Sequence, residues 1–280
     1  MKAGKIRLLA LDLDDTLLRS DLSISFRTRW AVRRAAAAGI TIVLASGRSP
    51  AAMARFSRAL RLHRKGGYLI CNNGSLVIES RTGRVLYEAR IETKSALAAF
   101  DLAAAEGFPV QIYEDDVLYV SRANEYADYD QRLTGLRQVV PADFRGMVER
   151  GCYKLLIPGD PMLLAPLQSL LSAYLGDDVT LFTSKPYYLE ILPKDCNKGA
   201  SLERIAGLLG IGREAAAAVG DSMNDEAMLR WAGLGIAMQN ADERIKQIAA
   251  YVTRSPNDDD GVAEAVERVL AEGRGTLSFQ

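Results

Sequence analysis

The stretch that decides the fold reads Leu8-Leu9-Ala10-Leu11-Asp12-Leu13-Asp14-Asp15-Thr16-Leu17-Leu18. Its apolar beginning, Ile6–Leu11, has the length and composition of a buried parallel β-strand. Carboxylates follow where that strand ends, and open α/β sheets bind ligands just beyond the carboxyl ends of their strands. Asp12 and Asp14 are two residues apart, so in an extended backbone their side chains leave the same face. Because like charges that close repel each other, the pair predicts a bound metal ion, acid–base catalysis, or both.

Composition indicates a globular protein with a sizeable core. At 280 residues the chain has room for two domains, or for one domain with a large insertion. Hydrophobic residues make up 49% of it and charged residues 25%. Lys plus Arg equals Asp plus Glu, at 35 each, so no basic surface is expected to recruit nucleic acid. Arg132, Arg137 and Arg145 are interpreted as ordinary solvated charges.

Three features of the sequence favour a cytoplasmic location. The amino terminus, Met-Lys-Ala-Gly-Lys before a short apolar stretch, does not have the pattern of a signal peptide. No segment approaches the length of a membrane span, so no membrane partner is expected. Cys71, Cys152 and Cys196 are far apart and odd in number, which argues against a disulfide framework and a CxxC metal site.

The chain has a single histidine, His63, in the basic segment Leu60–Lys65. A solvated surface histidine is the expected interpretation there. This count excludes histidine-based triads, histidine-rich zinc sites and histidine proton shuttles. Acid–base chemistry in this protein therefore has to use carboxylates, Lys, Tyr or Cys.

Strand and helix patterns alternate at both ends of the chain, which predicts an α/β fold with a Rossmann-like, doubly wound parallel sheet. From about Val85 short strands with close turns replace that rhythm, which is typical of antiparallel α+β structure. We therefore expect an inserted α+β cap domain. The predicted limits are residues 1–81 for the first part of the core, 82–185 for the cap and 186–280 for the second part of the core.

Four polar clusters fall at predicted strand ends or helix starts. Each alone has an ordinary interpretation, because Asp, Asn, Ser and Gly are common in turns and a Lys at a helix start is usually solvated. Together they suit a phosphate and a hard cation: carboxylates bind Mg²⁺, while a hydroxyl, a turn N–H and a lysine bind phosphate oxygens. The clusters are Asp12/Asp14/Thr16, Ser46/Gly47/Arg48, Lys198, and Asp221/Asn224/Asp225.

In this order the clusters resemble the four motifs of the haloacid dehalogenase superfamily. DxDxT is found at residues 12–16, the motif serine at Ser46, the motif lysine at Lys198, and an acidic GDxxND at residues 220–225. Asn73-Gly74 and Lys198-Gly199, on either side of the insertion, are similar to the Cof-type phosphatases, which carry the large class IIB cap. One motif alone would be weak evidence, whereas four in order are specific.

The resemblance implies a Mg²⁺-dependent phosphatase that hydrolyses small phosphorylated metabolites, such as sugar phosphates. Asp12 would be the nucleophile that forms an aspartyl-phosphate, and Asp14 the general acid and base. The Mg²⁺ would be held by Asp12, the main-chain carbonyl of Asp14, and Asp221. Asp225 would lie behind these ligands without binding the ion directly.

The resemblance also assigns the groups that bind the phosphate. Lys198 counts with the two aspartates as catalytic, because it neutralises charge in the transition state. Arg48 is expected to face the cap and to contact the substrate, and Thr16 to brace the loop. The phosphoryl oxygens would be bound by the Leu13 N–H, Ser46, Gly47, Lys198 and Asn224.

Other functions remain open or are disfavoured by particular residues. A phosphomutase of the same superfamily uses the same two aspartates, and a non-catalytic ligand-binding or regulatory protein could retain the fold. Asp14 argues against a dehalogenase and against a phosphoryl-transfer ATPase, and the chain has neither a GxGxxG after a strand nor a Walker motif. Tyr187-Tyr188 is expected to pack rather than bind ligand, and Asp15, where many relatives have Gly, is interpreted as harmless. The oligomeric state is not indicated.

Overall fold

Two β-sheets organise the protein, whose computed structural model describes residues 5–272. The strands in this range are β1 Leu8–Asp12, β2 Thr41–Ala45, β3 Tyr68–Cys71, β4 Leu76–Glu79, β5 Val85–Glu88, β6 Gln111–Glu114, β7 Val117–Val120, β8 Arg137–Val139, β9 Leu155–Pro158, β10 Val179–Lys185, β11 Tyr188–Pro193, β12 Ala216–Gly220, β13 Leu234–Ala237 and β14 Tyr251–Val252. The helices are α1 Phe26–Ala37, α2 Pro50–Ala59, α3 Leu62–Lys65, α4 Thr93–Ala105, α5 Glu125–Thr134, α6 Phe144–Glu149, α7 Pro161–Leu175, α8 Lys198–Leu209, α9 Glu226–Trp231, α10 Glu243–Ile248 and α11 Gly261–Glu272.

The first sheet has the order β14-β13-β12-β1-β2-β3-β4-β5. Its strands are parallel from β14 to β3, and only β4 and β5 at one edge are antiparallel. The chain adds β2 and β3 on one side of β1 and later β12 to β14 on the other, so β1 lies where the strand order reverses. The predicted doubly wound parallel core is confirmed.

The register of β1 explains why the predicted clusters meet at one edge. Leu11 pairs with Val219 of β12, and Asp12 pairs with Ala45 of β2. The residues that follow these strands therefore emerge side by side. Every residue of β1 and of β12 is buried, as expected for central strands covered on both faces.

The second sheet, of order β10-β11-β9-β6-β7-β8, is antiparallel except for the pair β7–β8. Side chains alternate between its faces, as strand geometry requires. Leu189 and Ile191 of β11 belong to an apolar core shared with α4, α6 and α7. Tyr188 and Glu190 of the same strand line a cavity on the opposite side, toward the first sheet. This sheet and its helices form the expected α+β insertion.

Two strands lie in a different sheet from the one that the predicted domain limits imply. β5 pairs with β4 in the first sheet, and β11 lies between β10 and β9 in the second. The hairpin turn at Arg81-Thr82-Gly83 is therefore inside the core, and the insertion continues past residue 185. A largely apolar, buried run such as Tyr188–Leu192 does not distinguish a parallel core strand from a central antiparallel one, because both are buried on two sides. We place the limits near residues 89 and 193 instead, and call residues 89–193 the insertion.

None of the described helices combines the length and the apolar character that a membrane crossing requires. Cys71, Cys152 and Cys196 are buried and free, in line with the expected absence of a disulfide framework.

Candidate active site

Asp12 is at the centre of the site, at the carboxyl end of β1, and is buried. Lys198, the first residue of α8, is 1% exposed and donates from Nζ to Asp12 Oδ1 at 2.6 Å. The same ammonium donates to Asp225 Oδ1, also at 2.6 Å. The site is therefore built around one lysine held between two buried carboxylates.

Close packing of α8 against α9 brings Lys198 to this position. A Cβ on Gly199 would lie 2.5 Å from the main-chain carbon of Ala227, so only glycine allows this approach. Asn197 caps α8 by accepting from the N–H of Ala200 at 2.8 Å. The sequence Asn197-Lys198-Gly199 therefore begins the helix and also places the lysine.

Asp225 organises the loop after β12. Its Oδ2 accepts from the N–H groups of Asp221 and Ser222 at 3.0 and 3.1 Å, while Oδ1 binds Lys198. Both oxygens are thus already engaged in hydrogen bonds. This pattern suits the expected place of Asp225 behind the metal rather than as a direct ligand.

The carboxylates of Asp12, Asp221 and Asp225 are buried and offer oxygen atoms within 4.8 Å of one another. Thr16 donates from Oγ1 to Asp221 Oδ1 at 2.7 Å, which ties the first motif to the fourth. Burial, and next the charge of Asp225, raise the pKa of Asp12 well above its ordinary range, although Lys198 opposes the change. The same two causes raise the pKa of Asp221 to about 7. This donor set fits a hard divalent cation such as Mg²⁺, because the cluster has more negative charge than one lysine balances.

Asp14, two residues beyond the end of β1, pairs with Arg48 and is not part of this cluster. The guanidinium donates from Nε and Nη2 to the two carboxylate oxygens at 2.9 and 2.5 Å. Burial raises the pKa of Asp14, but the hydrogen bonds and charge of Arg48 outweigh it, and the net pKa is lowered. Arg48 Nη1 also donates to the carbonyl of Leu133 in the insertion at 2.7 Å. Arg48 therefore faces the insertion, as predicted.

The predicted phosphate-binding residues form a second group beside Asp12. Ser46 is buried directly after β2, and its Oγ accepts from the N–H of Arg48 at 3.2 Å. A Cβ on Gly47 would lie 2.9 Å from the side-chain nitrogen of Asn73, so a larger residue there would displace that amide. Asn224 donates to Asn73 Oδ1 at 3.2 Å. Asn73 is thus part of the site, although the sequence marked it only as a family feature.

Most of the predicted site residues meet in one cavity of about 320 Å³ between the two sheets. Asp12, Asp14, Ser46, Gly47, Arg48 and Asn224 line it. Thr16, Lys198, Asp221 and Asp225 are joined to Asp12 or to one another directly behind it. The Leu13 side chain is in the apolar core, so only its main chain could serve the site, and that role stays a prediction.

The insertion supplies lining residues that sequence reasoning missed. Lys154 and Glu190 are both 4% exposed, and Lys154 Nζ donates to Glu190 Oε2 at 3.2 Å. Tyr113 donates its hydroxyl hydrogen to the buried Asp130. The signal for Glu190 in the sequence is a charged residue on an otherwise apolar strand, which is easily taken for a solvated position. Tyr187 and Tyr188 pack edge to face, with ring centroids 4.7 Å apart, and also line the cavity.

Comparisons with known proteins agree with this geometry. The family model for haloacid dehalogenase-like hydrolases matches residues 9–266. The phosphatase YwpJ of Bacillus subtilis is 29% identical over 294 residues, covering 95% of this chain and 100% of the relative. The 5-amino-6-(5-phospho-D-ribitylamino)uracil phosphatase YcsE of the same organism is 28% identical over 261 residues, covering 93% and 94%. A solved haloacid dehalogenase-like hydrolase from Bacteroides thetaiotaomicron superposes with a TM-score of 0.87 at 33% identity, covering 95% and 100%.

Proposed function

Because this chain belongs to the haloacid dehalogenase-like hydrolases, we propose that it is a Mg²⁺-dependent phosphatase of small phosphorylated metabolites, sugar phosphates or similar monoesters, acting through an aspartyl-phosphate on Asp12. The chain is a phosphoric monoester hydrolase, as its family and its relatives named phosphatases indicate. A relative named for a phosphorylated ribityl compound supports a hydroxylated substrate. The observation that carries the proposal is the Asp12–Lys198–Asp225 arrangement opening on the same cavity as Asp14.

Two displacements at phosphorus would make up the reaction. In the first, a carboxylate oxygen of Asp12 bonds to phosphorus, the bond to the ester oxygen breaks, and Asp14 gives that oxygen a proton. In the second, water attacks phosphorus, Asp14 takes a proton from the water, and the bond to Asp12 breaks. Asp14 thereby returns to its starting state after one cycle, and the products are an alcohol and phosphate.

Asp14 needs a different protonation state in each of its two roles, and its pairing with Arg48 favours one of them. Paired with the guanidinium, Asp14 is a carboxylate and is suited to accept the proton of the water. To donate in the first displacement it must be protonated, and its hydrogen bonds to Arg48 must give way to the ester oxygen. Arg48 therefore helps to set the orientation and the charge of Asp14.

Charge neutralisation at the phosphoryl group is the task of the remaining residues. In a loose transition state the phosphoryl oxygens would be bound by Ser46, the Gly47 N–H, the Leu13 N–H, Lys198 and Asn224. Positioning and electrostatics supply most of the acceleration in such a transition state. Mg²⁺, held by Asp12, Asp221 and the main-chain carbonyl of Asp14, would add positive charge to the same oxygens.

The insertion would act as a cap that selects the leaving group and keeps bulk water out. Three buried free cysteines support a reducing, cytoplasmic setting, and the partner would be a small phosphate ester rather than nucleic acid. A phosphomutase and a non-catalytic binding protein are the alternatives that the experiment has to separate.

Steady-state hydrolysis of p-nitrophenyl phosphate tests the proposal, with Mg²⁺ and with excess EDTA. Asp12→Asn should lower phosphate release at least about 1,000-fold, because the nucleophile is lost. Asp21→Asn, the same change on a nearby exposed carboxylate, should have no effect. Release at the wild-type rate from Asp12→Asn would remove Asp12 from the mechanism. Absence of release from the wild type with any ester would favour a non-catalytic protein, and transfer to an added sugar phosphate would favour a mutase.

A further inference from the structure

The face of the second sheet that looks onto Asp12 has buried charges that the proposed mechanism does not use. Lys154 and Glu190 line the cavity, and so do Tyr113 and Asp130. All four are at least nine-tenths buried. We call them the insertion cluster. A buried charged side chain requires a partner, so the way these groups are paired indicates which ligand they can accept.

Glu190 connects the insertion cluster to the phosphoryl end of the cavity. Its Oε2 accepts from Lys154 Nζ at 3.2 Å and from Asn73 Nδ2 at 2.8 Å. Asn73 in turn accepts from Asn224, at 3.2 Å, through its Oδ1. The Lys154 ammonium is 4.6 Å from the centre of the Tyr113 ring. A leaving group attached to a phosphate at Asp12 would therefore extend toward Lys154 and Glu190.

Every cation that lines the cavity within residues 5–272 already has a carboxylate partner. Lys154 pairs with Glu190, and the other three pairs are Arg48–Asp14 at 2.5 Å, Lys185–Asp15 at 2.5 Å and Arg19–Asp260 at 3.6 Å. A second anionic group that entered the insertion cluster would have to take Lys154 from Glu190, and Glu190 would remain buried as an unpaired carboxylate. Such a state is costly. Hydroxyl groups need no such exchange, since they donate to carboxylates and accept from an ammonium group.

We propose that the insertion cluster binds an uncharged, hydroxyl-rich leaving group, and that Glu190 excludes leaving groups with a second phosphate or a carboxylate. The inference rests on the proposed phosphatase function and adds the charge of its substrate. The tyrosines around the cluster, among them Tyr187 and Tyr188, offer ring faces and hydroxyls to such a chain. A cavity of about 320 Å³ is near the lower end of the range of ligand pockets and suits a small metabolite.

Sorbitol 6-phosphate and 6-phosphogluconate test this directly, because they share a six-carbon chain and a phosphate and differ at the far carbon, a CH₂OH or a carboxylate. Wild-type kcat/KM should favour sorbitol 6-phosphate at least tenfold. Glu190→Gln keeps the size of the side chain and an oxygen for Asn73, but frees the charge of Lys154. It should narrow or reverse that ratio by at least tenfold.

Two further variants keep the test decisive. Glu114→Gln makes the same change at a partly exposed carboxylate that pairs with Arg90 outside the cavity, and should leave the ratio unchanged. The double variant Lys154→Gln/Glu190→Gln has no free ammonium, so any gain for 6-phosphogluconate in Glu190→Gln should disappear. If Glu190→Gln does not fold, the wild-type ratio decides.

Equal or better use of 6-phosphogluconate by the wild type would overturn the inference, as would the same ratio in wild type and Glu190→Gln. Hydrolysis of p-nitrophenyl phosphate in the same preparations distinguishes failure of this inference from failure of the phosphatase proposal. If it persists while the two esters are not discriminated, only the insertion cluster has been misassigned. If no ester is hydrolysed, the phosphatase proposal fails with it.

Discussion

The two ends of the cavity balance their buried charges differently. At the end formed by the first sheet, three carboxylates, Asp12, Asp221 and Asp225, lie close together, Lys198 binds two of them, and the pKa of Asp221 rises to about 7. At the end formed by the insertion, Lys154 pairs with Glu190, and Asp130 accepts from the Tyr113 hydroxyl. The first end has too little positive charge and is suited to bind a cation and a phosphate. The second end, among the described residues, has no cation without a carboxylate partner and is suited to an uncharged group.

Lys198→Met should have the largest effect, because it removes the only lysine in the described part of the chain that binds the carboxylates at the Asp12 end of the cavity. It removes the ammonium that both Asp12 and Asp225 bind, and loss of one partner from a buried ion pair costs about 3–5 kcal/mol of unfolding free energy. Turnover of every ester should fall at least about 100-fold, because charge in the transition state loses a fixed cation. Urea unfolding in EDTA at pH 8 and steady-state kinetics measure the two effects.

Lys154→Met is the matched change at the second end. It also removes a buried lysine from a carboxylate, but it should reduce kcat/KM for sugar esters far more than for p-nitrophenyl phosphate. A uniform loss on all esters, like that of Lys198→Met, would show that Lys154 does not act through binding of the leaving group.

Asp14→Asn should affect esters according to their leaving group. An alkyl oxygen leaves poorly without a proton, so sugar phosphates should slow by about 100-fold, within the range for general acid catalysis. p-Nitrophenolate leaves without help, so kcat/KM for p-nitrophenyl phosphate, which reports the first displacement, should fall less than tenfold. Asp21→Asn, at an exposed carboxylate, serves as the comparison and should change the rate for neither ester. Equal losses of Asp14→Asn on both esters would reject the general acid assignment.

Asp221→Asn should stabilise the metal-free protein at pH 8. Because the pKa of Asp221 is raised to about 7, the native state binds its proton more tightly than the unfolded chain does. The free energy of unfolding therefore falls as pH rises from about 4 through 7, and replacing the carboxyl group removes that loss. We expect a gain on the order of 1–3 kcal/mol at pH 8 and a smaller gain at pH 5, from urea unfolding in EDTA.

The same variant should no longer be stabilised by added Mg²⁺. Asp101→Asn, at an exposed ion pair with Arg145, provides the control and should leave both the pH dependence and the Mg²⁺ effect intact. A destabilised Asp221→Asn protein at pH 8 in EDTA would contradict the picture of an end that is short of positive charge.

Asp15→Asn should have the smallest effect. Asp15 pairs with Lys185 of the insertion at 2.5 Å, but both side chains are more than a third exposed, and such pairs contribute about 0–1 kcal/mol. Asn tolerates the left-handed backbone of this position, where φ is 58°. Stability should change by less than about 1 kcal/mol and KM by less than about threefold. A tenfold rise in KM would give this pair a role in holding the insertion closed.

The contrast between the two ends also explains what could be predicted from the sequence. Asp12 ends one parallel strand, and Ser46 and Asp221 directly follow two others. The carboxyl ends of such strands meet at one edge of the sheet whatever the details of packing. Their convergence was therefore predictable from strand order alone. Asn73 follows β3 in the same way, but a lone Asn-Gly is also an ordinary turn, so its contacts with Asn224 and Glu190 were not expected.

The insertion end could not be predicted because antiparallel strands bring together residues that are distant in sequence. Glu190 and Lys154 meet across β11 and β9, and their pairing depends on a register that composition does not specify. Short elements such as β8 and the six-residue α6 have patterns too brief to show a period. By contrast, the bounds of α7 are marked in the sequence, since Pro161 begins it and Gly176 follows it.

The central claim is that the phosphoryl group passes through Asp12, and the stereochemistry at phosphorus tests it most directly. The substrate would be a thiophosphate ester made chiral with oxygen isotopes, hydrolysed by the wild-type protein with Mg²⁺. Two displacements, first by Asp12 and then by water, predict overall retention of configuration. Inversion would mean that water attacks the ester in one step, and would contradict the account.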